Sequence, residues 1–504
     1  MTSFAYRVKS CVTACCAALT VACLYNPGSA VAQQDSPDSP LEFWVRTDGD
    51  PEATYANCTP THAFASIDQA RLQIRAWRAV ADRNPRPIIV NVGGGEYQVS
   101  VPIVFDANDS GWDQYPIRYV AWDPDGSGPL DADPLMSGGT ALTAWQAATT
   151  PYGVSAYWCP VPSDVPDVRD LWVNNRRMVR ARYPNTPTTS CTPEEYPNPI
   201  TAPPQCENDG FLVVSAVERF QDPINGDTHR VTVRRPRTIA PVTPTFPSIS
   251  SWTGVEAVAH NLYVSPRQIV DAGLVVNEND LRLDFWVDSH PNPLNTMQDF
   301  GGFGTLGTFT HISVQSAPQT GNPVATQVYL ENHLGFLNAN FEWYFDPTPG
   351  DRRVWLKLCD NPTTLNARVV IPKAQQLLVL STAANLRFEG IDWAYTRMPF
   401  PKQADNSTPG YTTVQAGLQW VNGSGTTGWY NTLPAAIRME GATNCVLHRC
   451  RIGHTSGSGV EIASYTGAID PPLSIESHYN ALDGCEIFDV GGHGVFLGDH
   501  LTGA

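Results

Sequence analysis

The clearest pattern along the chain lies near its C-terminal end, where short apolar runs alternate with polar positions and break at glycine-marked corners. Residues 450–463 read CRIGHTSGSGVEIA and residues 485–498 read CEIFDVGGHGVFLG. The two align without a gap at an offset of 35 residues: Cys450 over Cys485, Ile452 over Ile487, Gly457 over Gly492, Val460 over Val495, Ile462 over Leu497. A period of that size denotes stacked structural units. Alternating short strands with glycine corners predict coils of a parallel β-solenoid. The polar residues between the copies, with Pro471 and Pro472, suit loops. Residues 386–394 (LRFEGIDWA) join the same register, with Ile391 over Cys450 and Trp393 over Ile452.

Upstream, one segment has helical periodicity. Ser66 and Gln69 have capping-box spacing, and Ile67, Ala70, Ile74 and Trp77 form a single apolar stripe. This predicts a helix over 66–83, placed to lid the open end of a solenoid whose core and strand edge would otherwise meet water. Strand-like runs at 41–46, 87–97, 101–105, 117–122 and 141–145 suit the first coils. Residues 171–185 (LWVNNRRMVRARYPN) predict a hairpin turning at Asn174-Asn175. Between about 211 and 373 the 35-residue rhythm is lost while strand-like runs persist, which predicts an inserted, mostly antiparallel β domain. A long excursion over 395–431, rich in Trp, Tyr, Gly and Pro, leaves the later coils; loops of that length on a rigid scaffold carry function.

Composition narrows the class. With 504 residues, 42% hydrophobic and only 16% charged, the chain can bury a large core. Its formal charge of −17 repels phosphate backbones, so nucleic acid is not an expected partner. The N-terminus has basic Arg7 and Lys9, an apolar run over 11–24, and Ala30-Val31-Ala32 before Gln33, the pattern of an export signal. The run is too short for a comfortable membrane span. A lipoprotein-like box ends at Cys15, too early in the apolar run to predict a lipid anchor, so membrane association is not expected. Export permits disulfides, and Cys191 and Cys206, flanking a Pro-rich loop, are the best candidates for one. Cys450 and Cys485 share a repeat position and are expected stacked, inward-facing and free. No CxxC pair or histidine cluster predicts a metal site, and no cofactor is expected.

The opening segments FWVRTDGD, AFASIDQARLQIR and VNVGGGEY, then LWVNNRRMVRARYPN with YLENHLGFLNANFEWYF, resemble the start of right-handed parallel β-helix carbohydrate-active proteins. The later run FEGIDWAYTRMPF, GYTTVQAG, LPAAI and CEIFDVGGHGVFLG is similar to glycoside hydrolase family 141 and its relatives among β-helix fucosidases and xylan-active enzymes. The resemblance covers nearly the whole chain after the signal. It implies an all-β fold: a right-handed parallel β-helix with an N-terminal capping helix and an inserted antiparallel β domain. The expected organisation is a signal peptide over 1–32, cap and first coils over 33–205, the insertion over 206–373, and further coils over 374–504. Relatives continue for several more coils, so the sequence is expected to be a partial one.

Glycoside hydrolysis uses two carboxyl groups, one to protonate the leaving oxygen and one as nucleophile or base. Coils about 4.8 Å apart would bring carboxylates of one column within that reach. Asp489 ends a strand before the Gly491-Gly492 corner, and the resemblance matches it to the family's aspartate in a D-x-x-G segment; a turn-capping aspartate is the alternative. His493 is a candidate to orient or titrate beside it, and His454, one coil earlier, to hydrogen-bond to it. Asp499 is a candidate second acid, although the resemblance places the second catalytic carboxylate about one coil beyond Asp489, past Ala504. Glu461 and Phe496 share an outward-facing row suited to sugar stacking. Trp393, Tyr395, Arg397, Tyr411 and Gln415 fall where the resemblance implies a substrate pocket. The expected function is an exported monomeric glycoside hydrolase acting on plant or algal polysaccharide. A polysaccharide lyase is the first alternative, disfavoured because the repeats lack lysine and an acidic cluster. A non-catalytic carbohydrate-binding solenoid is the second.

Overall fold

The computed structural model describes residues 39–80, 84–123, 133–185, 211–224, 226–234, 246–260, 267–286, 327–398, 412–413, 418–421, 429–432, 434–466 and 474–498. Three parallel sheets form its spine. The first sheet stacks Leu41–Asp50, Ile88–Gly93, Ile117–Trp122, Leu386–Glu389, Val446–His448 and Ala481–Asp483. The second stacks Gly95–Gln98, Pro134–Ser137, Asp392–Thr396, Arg451–Thr455 and Glu486–Val490. The third stacks Ile103–Phe105, Leu378–Ser381, Ala435–Glu440, Ser458–Ala463 and Val495–Leu497. The chain visits first, second and third sheet in turn and then repeats, so each circuit lies on the one before.

The register is the one the sequence pattern predicts. Ile452 pairs with Ile487, Val460 with Val495 and Ile462 with Leu497. Trp393, in the circuit below, pairs with Ile452. The alternate residues that point inward build one apolar column, in which Phe105, Tyr119, Phe388 and Trp393 pack ring to ring at centroid distances of 5.0–6.0 Å. Cys450 is buried and free in this column, with Cys485 partly buried and free on top of it. Helix Ile67–Arg78 is shorter than expected but capped as expected: Ser66 Oγ accepts from the Gln69 amide, and Ile67, Ala70, Ile74 and Trp77 are buried. The Gln69 side chain reaches back to the Ala65 amide rather than to the cap residue itself. No described helix is long and apolar enough to cross a membrane.

The circuit opens at one corner, between the second and third sheets. From Ser137 to Leu378 the chain leaves the spine and builds mostly antiparallel structure. One sheet there holds Gln146–Thr149, Ser155–Pro160, Arg353–Lys357, Glu342–Asp346 and Val179–Arg180. A larger one is built on Leu212–Asp222, Gly226–Arg234, Glu256–His260, Asp280–Trp286 and Gln327–Glu331. Each packs its own apolar cluster. The departure therefore begins earlier than residue 206: Gly139–Leu142 already pairs antiparallel with Val369–Pro372 instead of stacking as a coil strand. One circuit later the spine strands Asp392–Thr396 and Ala435–Glu440 end and resume at the same corner. In the next two circuits the corner is tight, and there glycine is required. A Cβ on Gly491 would lie 2.1 Å from the Ser456 carbonyl oxygen of the circuit below.

Of the cysteines, Cys359 is disulfide-bonded and the other described ones are free. Cys191 and Cys206, like the export signal, lie outside the described residues.

Candidate active site

The site is built at that open corner, from two sides. On the spine, the last residues of the second sheet's strands are interrupted by one bulged position per circuit. Tyr395, His454 and Asp489 occupy it in successive circuits, all with left-handed backbone (φ 66°, 53° and 44°), while their neighbours keep the parallel register. The bulge turns these three side chains outward in a column. Tyr395 and His454 stack nearly parallel, with ring centroids 5.3 Å apart and planes 15° apart. Phe488 meets His454 edge-on at 5.0 Å, its ring lying against Gly453, where a Cβ would come within 2.5 Å of the ring.

From the insertion, a hairpin closes over this column. Trp172–Val173 pairs with Arg176–Arg177 through Asn174 and Asn175, both at positive φ, which is the two-residue turn its sequence predicts. Trp172 is fully buried, edge-on to Tyr395 at 5.6 Å. Its indole N–H donates to Asp489 Oδ2 at 2.7 Å. Arg177 Nε donates to Asp489 Oδ1 at 2.9 Å, and its other nitrogens reach the Thr455 and Asp489 carbonyls and Asp170 Oδ1. The Arg177 guanidinium also covers the Trp172 ring at 4.7 Å. His454 Nδ1 lies 2.7 Å from Asp489 Oδ2. A second set of contacts fixes the lower part of the column: the Tyr395 hydroxyl donates to Asn175 Oδ1 at 2.5 Å and accepts from Arg368 at 2.7 Å, and Arg368 also bonds Glu96.

The electrostatics follow from these contacts. Burial pushes the Asp489 carboxyl up. The His454 hydrogen bond, the Arg177 charge and its hydrogen bond, and the Trp172 hydrogen bond together outweigh burial and hold it below the ordinary aspartate value. Asp489 is thus an acceptor-only carboxylate at neutral pH, and its side chain keeps 28% of its exposure. That arrangement suits a base, a nucleophile or a fixed negative charge, and does not suit a proton donor.

The other expected site residues divide. His493 follows on the next corner, its ring 5.2 Å from Phe496; burial lowers its pKa and keeps it neutral, and its Nε2 is sealed with no hydrogen-bond partner. Phe496 is half-buried rather than open. Glu461 is only 2% exposed, near Arg438 at 3.8 Å. It does alternate with the inward Val460, yet the outer face is covered there, so the row it shares with Phe496 is not an open platform. Trp393 is wholly buried on the Ile452 register, a core residue and not a lining one. The strand alternation that puts it inward overrides its neighbourhood to the excursion. Arg397 is engaged by the segment that leads back to the spine, its Nε donating to the Lys373 carbonyl. Asp499, Tyr411 and Gln415 lie outside the described residues. Sequence reasoning missed Trp172 and Arg177 as partners of Asp489, and Asp170 as a partner of Arg177. Trp172 and Asp489 are 317 residues apart. The available signal was the hairpin itself, with paired arginines in an acidic chain. Among the described residues, no group of three or more His, Cys, Asp or Glu side chains converges as a metal site.

No family model matches this sequence. Nor does any curated protein. Among solved structures, one described as a glycoside hydrolase superposes with a TM-score of 0.61 at 17% identity, covering 90% of this chain and 67% of that one. A complex of XylC with xylose covers 90% of this chain and 54% of its own, at 8% identity and a TM-score of 0.31, too distant to carry an argument. The first likeness is one of fold: this chain shares the architecture of a carbohydrate-active enzyme.

Proposed function

We propose that this protein is an exported glycoside hydrolase, acting as a monomer on plant or algal polysaccharide, on a right-handed parallel β-helix scaffold of the family 141 type. The observation that carries the reading is Asp489: a carboxylate kept ionised by three donors yet still partly open, at the corner where the two long excursions leave the spine. Aromatic rings and an arginine surround it, the composition that orients a sugar in a pocket. The fold shared with a glycoside hydrolase supports the same reading. In it Asp489 serves the base side of the reaction, because a carboxyl held below its ordinary value does not deliver a proton to a leaving oxygen.

The reaction class is tested by incubating the protein with a panel of xylans, fucose-containing polysaccharides and pectins. Hydrolysis releases reducing ends with no new ultraviolet absorbance. Appearance of the absorbance of an unsaturated uronate would make the protein a lyase. Binding without release of reducing ends would make it a carbohydrate-binding solenoid.

A further inference from the structure

Two free thiols meet inside the spine, at the foot of the strands that carry the site. Cys450 and Cys485 each come one residue before the paired Arg451 and Glu486, and the Glu486 amide donates to the Cys450 carbonyl. The two cysteines therefore face each other in register on neighbouring circuits. Strands paired in this way lie about 4.8 Å apart, inside the roughly 4.4–6.8 Å Cα separation that a disulfide bridges. Both side chains enter the apolar column, and each sulfur has a carbonyl of the circuit below to meet. Cys450 Sγ lies 3.3 Å from the Phe388 oxygen and Cys485 Sγ 3.2 Å from the Leu447 oxygen. Ile391, and not a third cysteine, fills the same position one circuit lower. The thiols also act on each other. Their mutual hydrogen bond pushes the Cys450 thiol up, with burial adding to it, and pulls the Cys485 thiol down against burial. Cys485 is the partly buried member and Cys450 the buried one.

We propose that Cys450 and Cys485 are a dithiol modification site that closes to a disulfide and staples together the two strands on which His454 and Asp489 stand. The oxidant it takes is a small-molecule disulfide. Cys485 loses its proton and its sulfur attacks one sulfur of that disulfide; the S–S bond breaks, and the departing sulfur leaves as a thiolate that takes up a proton. The Cys450 sulfur, giving up its own proton, then attacks the Cys485 sulfur of the mixed disulfide. The Cys450–Cys485 bond forms and the second small thiol leaves. Two protein thiols are oxidised, and one small-molecule disulfide is reduced to two thiols. The order follows from the thiols themselves, because the thiolate is the nucleophile and Cys485 is the member whose thiolate is favoured. The new bond lies at the start of strands Arg451–Thr455 and Glu486–Val490, which carry His454 and Asp489. It therefore holds the two circuits against local opening. Cys445 is also buried and free, but it meets Asn480 in register, its amide bonded to Asn480 Oδ1. It is the internal control. Neither the bond nor its formation involves a sugar, so the dithiol stands apart from the hydrolase reading.

The test is made on the folded wild-type chain, so no variant has to fold. The protein is incubated with oxidised glutathione, quenched in acid, unfolded, alkylated with iodoacetamide, digested without reduction and mapped by mass spectrometry. A linked peptide pair joining Cys450 to Cys485 should appear, while Cys445 is recovered alkylated. Full alkylation of both cysteines would overturn the proposal. So would glutathione retained on Cys485 with no linked pair, because the second step would then have failed. The staple is read separately by hydrogen exchange. Amide exchange over 451–455 and 486–490 should be about tenfold or more slower in the linked protein than in the unlinked one. The difference between oxidised and reduced samples should vanish in Cys485→Ser. A linked pair that leaves this exchange unchanged would overturn the staple.

Discussion

The spine and the insertion bury different things, and the candidate site lies where they meet. The spine buries hydrocarbon in a repeating register, with every inward position resting on its counterpart a circuit away. The insertion packs apolar clusters of its own, but also buries charge where it meets the site hairpin. Arg169 pairs bidentately with Glu256, and Arg180 bridges Glu256 and Glu331, with all four side chains no more than 11% exposed. This cluster and the site hairpin share one stretch of chain. Arg169 and Arg180 face the insertion, while Trp172 and Arg177 between them bond Asp489, with Asp170 paired to Arg177. A repeating apolar ladder tolerates stacking but specifies a partner poorly. A buried ion cluster is weak as net stabilisation but costly to leave half-made, and so fixes one docking geometry. The corner is set from both sides: the spine presents the column, and the charged joint holds the hairpin over it.

The largest expected effect is on the spine. Trp393→Ala should cost roughly 3–5 kcal/mol, because it removes a fully buried indole whose neighbours are held in register and cannot collapse into the space. Denaturant unfolding measures this, and a loss below about 1 kcal/mol would mean that the column is not the cooperative core. Next comes the joint. Glu256→Ala leaves Arg169 and Arg180 without their shared partner and should cost about 3 kcal/mol, but locally. Hydrogen exchange should rise in the antiparallel strands and the hairpin while the spine stays protected. Equal loss in both parts would contradict the division drawn here.

The smallest effect sharpens the comparison through pH. Glu342, in the insertion, is 2% exposed and accepts the Asn338 and Ala339 amides through Oε2, while Oε1 has no partner. Burial raises its pKa from 4.5 to about 7. A carboxyl raised on folding contributes stability fully below its unfolded value and loses it as pH rises through the folded one. The insertion should therefore weaken between about pH 4.5 and 7. Glu342→Gln should flatten that slope in thermal melts. An unchanged slope would place the titrating group elsewhere.

How much of this was legible follows from the same contrast. The spine could be read because its information is local and repeated. An offset of 35 residues gave the pairing of Ile452 with Ile487, and the capping spacing at Ser66 gave the start of the helix. The joint could not, because an arginine does not announce which of many acids it meets. Asp489 was visible as a strand-end aspartate before a glycine corner, but its partners Trp172 and Arg177 come from a hairpin more than 300 residues away. Glu461 shows the limit of alternation. The pattern tells which side of the strand it leaves from, but not that this side is covered.

The central claim is that a single ionised aspartate, held between spine and hairpin, is required for glycoside hydrolysis. Its most direct test is Asp489→Asn, compared with wild type for release of reducing ends from the polysaccharide the wild type cleaves best, with thermal melts to match the folded fraction. The substitution keeps size and shape but removes the charge that Arg177 and His454 meet. The account predicts a fall in kcat of about 1,000-fold or more with the fold intact. A folded Asp489→Asn protein that still hydrolyses within tenfold of wild type would contradict it.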